Sequence, residues 1–178
     1  MLVVLKSFLA LCLLRLRPQD LPAVPVLAGF AALCYVAAGL VMALQHMTPA
    51  AAAGLVLLDT ALFGFLIWLL LWVRLMMNRY LQTFTAMLGA SAVLEMAALP
   101  LVIWQQQLVV GDELSAMAVI VSLLLWAWLF WSLLVLGHIL RHAIDTILPI
   151  GVMLALLYMF ITFSVTRSVF FSASGATA

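Results

Sequence analysis

Five apolar runs limit what this chain can fold into more than any other feature: residues 24–44, 50–77, 80–104, 114–140 and 144–171. An α-helix rises about 1.5 Å per residue, so about 20 residues cross a hydrocarbon core roughly 30 Å thick, and each run is long enough. Inside hydrocarbon every backbone N–H and C=O has to be satisfied within its own segment, which leaves the helix as the form for runs of this length. The breaks between them are recognisable. Pro22 and Pro25 open the first run, "QHMTPA" closes it, "VRLMMNRY" ends the second, "QQQLVVGDE" the third, and "RHAID" precedes the fifth. With 69% hydrophobic and 7% charged residues, the chain has too few polar groups to cover a water-soluble surface. The expected fold is all-α: a polytopic membrane protein in one domain over 1–178, with five transmembrane helices and an N-terminal interfacial helix.

The opening segment, "MLVVLKSFLALCLLRLRPQDLP", has the wrong polarity for a secretory signal. Arg15 and Arg17 follow its apolar core rather than precede it, and Pro18 ends it. The helix expected over 1–17 is too short to span, so it reads as interfacial or re-entrant, with Lys6, Arg15 and Arg17 available to lipid headgroups. The distribution of Lys and Arg sets the expected orientation. With the N-terminus cytoplasmic, Lys6, Arg15, Arg17, Arg74, Arg79 and Arg141 lie inside and Arg167 alone lies near the outer face. Five spans then put the "SASGATA" tail outside.

Ionisable residues inside such runs are the best guide to function, because each is expensive in hydrocarbon. Asp59, in "VLLDTALFGFLIWLLLW", and Glu95, in "TAMLGASAVLEMAALP", each fall about nine residues from the outer end of antiparallel neighbouring spans, at a depth of roughly 13 Å. Arg167 near the outer end of the fifth span could snorkel inward to either acid. Besides chance placement facing a water-filled dip, two readings of this intramembrane polar cluster of Asp59, Glu95 and Arg167 follow. One is an Arg–carboxylate pair that locks three helices together. The other is a proton or cation site, since an unpaired intramembrane carboxylate can load and release a proton. Against a through-going relay, the second run offers only apolar residues between Gly64 and Val73.

At the inner end, Arg74, Arg79, His138, Arg141, His142 and Asp145 read as cytoplasmic interfacial groups. His138 and His142 stand four residues apart, a spacing that can hold a metal, but the Glu of the H-E-x-x-H signature is missing, so a charged interfacial cap is expected instead and no metal. Cys12 and Cys34 show no C-x-x-C spacing and read as packing residues. Small residues on the third run (Gly89, Ala90, Ser91, Ala92, Ala97, Ala98) and the first (Gly29, Ala32, Ala38, Gly39) mark faces for close helix packing. Trp126, Trp128, Phe130 and Trp131 suggest a broad face toward lipid or a partner. No nucleophile–base pair, glycine-rich phosphate loop or cofactor motif occurs, and no basic run fits nucleic acid. The lipid bilayer is the partner the sequence dictates; another membrane protein or a second copy of the chain are the alternatives beyond it.

The stretches "RLMMNRYLQTFTAMLGASAVLEMAALPLVIW" and "LFWSLLVLGHILRHAIDTILPIGVMLALL" resemble Yip1-like membrane proteins over residues 74–165, in a short basic turn, a polar-then-small helix with a Pro near its end, and the hairpin that follows. That resemblance implies five spanning helices and, for the short bacterial members, a place in the inner membrane. The cytosolic N-terminal region through which eukaryotic members contact small GTPases has no counterpart here. The expectation is a non-enzymatic scaffold, adaptor or accessory subunit without cofactor; the alternative is a small transporter or proton-coupled component that uses Asp59 and Glu95.

Overall fold

The computed structural model describes residues 2–108 and 116–170. It is all-helical in those residues. A short α1 (Leu2–Cys12) precedes α2 (Pro25–Ala43), α3 (Pro49–Val73), α4 (Tyr80–Leu108), α5 (Ala116–Ala143) and α6 (Leu148–Phe170). The last five are long and apolar enough to cross a membrane, so this is a multi-pass membrane protein. Pro25 and Pro49 open α2 and α3, and Pro149 is the second residue of α6, where a missing N–H costs nothing because the first turn has no intrahelical acceptor for it. Pro100 does not end its helix. α4 runs on through it to Leu108, four residues beyond the expected boundary. The Gly111–Glu113 part of the third connection and the Ser172–Ala178 tail, with its expected side of the membrane, lie outside the described residues.

α4 is the central helix, because its small residues let neighbours approach from two sides. Ala86, Ala90 and Ala92 are buried along it, and α1, α2, α3 and α5 all pack on it. α6 packs on α5 and α3. Close approach is most extreme between α5 and α6, where a Cβ added at Gly151 would lie 2.1 Å from the carbonyl oxygen of Gly137. Gly89 serves a different purpose: a Cβ there would stand 2.3 Å from the ring of Phe8. Gly29, by contrast, has nothing within 4 Å.

That seat for Phe8 decides between the two expectations for the N-terminal helix. α1 does not lie on the surface of the bundle's end. Phe8, Leu11 and Cys12 are buried, the Cys12 thiol donates to the Ala90 carbonyl at 3.6 Å, and the Trp131 indole donates to the Cys12 carbonyl at 3.2 Å. Gly89 is nine residues past the start of α4, about 13 Å along its axis, so α1 enters the bundle as a re-entrant segment. Lys6 lies on the exposed side of α1, and Arg15 and Arg17 are exposed beyond the helix.

On the aromatic face of α5, Trp126, Phe130 and Trp131 are exposed, the first two with ring centroids 6.4 Å apart, and Trp128 is half-buried; the indoles of Trp128 and Trp131 donate to the carbonyls of Leu94 and Cys12.

Candidate functional site

The acids of α3 and α4 meet in the interior, but not as an ion pair with arginine. Asp59 accepts a hydrogen bond on Oδ2 from the Tyr35 hydroxyl of α2 and one on Oδ1 from the Tyr158 hydroxyl of α6, the latter at 3.2 Å. Three helices are thereby joined through one carboxylate. The Phe63 ring, one turn along α3 from Asp59, stands between the two phenols, its centroid 5.5 Å from that of Tyr35 and 4.8 Å from that of Tyr158. Glu95 approaches Gly39 of α2 and keeps a buried Oε2 with no hydrogen-bond partner.

Arg167 is exposed, and no ion pair joins it to either acid. The reason is depth. Arg167 lies nine residues beyond Tyr158 on α6, about 13 Å further along the axis than the layer that holds Asp59, and its side chain does not span that gap. Two of the chain's three tyrosines occupy the place expected for the arginine. Their positions near the middle of the first and fifth apolar runs were the signal in the sequence, because a phenol in hydrocarbon needs a partner for its O–H as much as a carboxylate does.

Asp59 and Glu95 lie where two clefts join. One, of about 450 Å³, runs between α2, α3 and α4 to His46 and Met47 in the α2–α3 turn. At that end Gln106 of α4 donates to the His46 ring at 3.1 Å. The other, of about 510 Å³, opens between α4, α5 and α6 and exposes Ser91, Ser132, Thr162 and Trp128 to the same two acids. No Lys or Arg lines either cleft. Toward the opposite end the interior is closed by Phe63, Ile67, Leu71, Met87 and Ile139, all buried.

That opposite end gathers the remaining expected residues. Arg79 pairs with Asp145 at 2.7 Å and also donates to the carbonyls of His142 and Ala143, while Arg74 donates to the carbonyl of Ile144 at 3.2 Å. These carbonyls belong to the last turn of α5, so the guanidinium groups satisfy its orphan acceptors and oppose its dipole. Gln19 reaches the same His142 carbonyl. The two histidines touch edge to face at 4.7 Å, but His138 Nε2 lies 3.2 Å from the Leu16 carbonyl and Asp145 is turned to Arg79, so the three do not converge on a point. Arg141 has a buried Nε without a partner. This charged set therefore caps a helix and ties α1's exit, α4 and α5 together.

Comparison with protein-family models, with curated proteins and with solved structures finds no match. The likeness to Yip1-like proteins accordingly stays a resemblance of sequence, and the site has to be read from its own chemistry.

Proposed function

We propose that the chain is a small transporter, or a proton-coupled component of one, in the bacterial inner membrane, with its N-terminus cytoplasmic and Asp59 and Glu95 as its working groups. The observation that carries this reading is the unpartnered Glu95 Oε2 beside an Asp59 held by phenols alone, both facing clefts that no lysine or arginine lines. An arginine pair would have served as a lock; two carboxylates without a fixed cation can accept a mobile one. The positive-inside rule assigns the arginine end to the cytoplasm, so the His46 cleft opens to the outside. The groups facing the acids are Tyr35 from α2, Tyr158 from α6 and, at the mouth, His46. With an apolar layer between the acids and the arginine end, carriage needs rearrangement of the inner half rather than a standing pore.

Reconstitution in liposomes with an internal pH dye tests this. Under an imposed potential the wild-type protein carries a proton or cation current, and the combined Asp59→Asn and Glu95→Gln change abolishes it. Undiminished flux in that variant overturns the role of the two acids, and no flux from the wild type overturns the reading in favour of a non-enzymatic scaffold.

A further inference from the structure

We infer that the cleft between α4, α5 and α6 binds an organic ammonium ion, with Glu95 and Asp59 as counter-charges and the ring faces of Tyr158 and Trp128 as its walls. This rests on the reading of the acids as working groups and adds what they act upon. About 510 Å³ is within the range of small-molecule pockets, which are mostly apolar with a few convergent polar groups. One carboxylate oxygen here has no partner of its own. Glu95 Oε2 is buried and accepts nothing. Ser91, one turn before Glu95 on α4, lines the same cleft. A buried acceptor left open is costly unless something fills it, and two carboxylates without a fixed cation specify positive charge.

The wall decides the kind of cation. A hard divalent ion takes about six or more oxygen ligands, whereas this cleft alternates its oxygens with Phe63, Trp128 and Phe163. Aromatic faces attract an alkylammonium, whose charge is spread over apolar groups and whose dehydration is cheap, and Trp is the strongest such face. The Trp128 indole N–H is already engaged by the Leu94 carbonyl at 3.2 Å. That bond restrains the ring.

The test is equilibrium binding of radiolabelled tetraethylammonium to the full chain in lipid nanodiscs, with each variant checked for monodispersity. The wild type binds saturably, and Glu95→Gln, which keeps the shape, weakens binding at least tenfold. Trp128→Phe and Trp128→Leu both lose the bond to Leu94, so the difference between them isolates the ring face. Phe binds about threefold tighter than Leu if the wall acts through its π-electrons. No saturable binding, binding indifferent to Glu95→Gln, or equal affinity of the Phe and Leu variants overturns the inference. Acid-dependent proton flux without tetraethylammonium binding removes this inference and leaves the proposed function standing. Saturable binding with flux that ignores both acids removes the proposed function and leaves a binding site.

Discussion

Asp59 is the residue on which most of the site depends, and its partners make its removal costly. In Asp59→Ala two buried hydroxyls, those of Tyr35 and Tyr158, lose their acceptor, so stability falls by about 1–3 kcal/mol. Arg167→Ala, at an exposed position without an ion pair to the acids, changes it by less than about 0.5 kcal/mol. Thermal unfolding in one detergent compares the two directly. Cys12 offers a second check, because burial pushes its thiol up to about 11. The thiolate is the reactive form, so maleimide labelling of Cys12 is negligible at pH 7, and the thiolate fraction rises about tenfold per pH unit until the pH nears 11. Rapid labelling of Cys12 at neutral pH, read in a Cys34→Ala background, would contradict the packing of α1. The existence of both acids in the membrane was legible in the sequence, and so was their common depth. Their true partners were not, since a helix apolar all round carries no signal of its rotation about its axis, and rotation is what turns Tyr35 and Tyr158 toward Asp59.

At the scale of elements, helix ends and helix crossings carry the strain. α1, α3 and α5 each finish on a residue of positive φ that is not glycine: Leu14 at 60°, Leu75 at 56° and Asp145 at 49°. In each case the following N–H reaches back five residues, from Arg15 to Ala10, Met76 to Leu71 and Thr146 to Arg141, the bond of a Schellman ending. The left-handed conformation costs an L-residue about 1–2 kcal/mol. Leu75 is 90% exposed and has little packing to lose, so Leu75→Gly raises stability by about 0.5–1 kcal/mol once the greater freedom of unfolded glycine is set against the relief. Calorimetric midpoints in detergent would read the gain. Crossings behave oppositely. Gly151→Ala drives a methyl into the Gly137 backbone and costs about 1–3 kcal/mol or more, whereas Gly29→Ala at an open site is near neutral. The expected spans match the observed helices to within a few residues, because span length follows from hydropathy alone. Gly137 and Gly151 went unremarked, because two isolated glycines on different helices announce a contact only after the helices are docked.

For the molecule as a whole, the arrangement of charges predicts which groups reagents can reach. If the arginine end is cytoplasmic, a cysteine placed at His46 in a Cys12→Ala, Cys34→Ala background labels with a membrane-impermeant maleimide in intact cells, and one placed at Leu75 labels only after permeabilisation. The reverse pattern would invert the topology. α4 is the helix about which the rest is arranged, yet it comes fourth in the chain.

That position has a consequence for how the protein is made. α1 precedes in the chain every element that seats it: Gly89 and Ala90 on α4 and Trp131 on α5. Until Gly89 has been synthesised and inserted, Phe8 has no seat to enter, and the Cys12 carbonyl gains its donor only once Trp131 follows. α1 can therefore be seated only after α4 and α5 have entered the bundle, whereas its seat does not depend on α6.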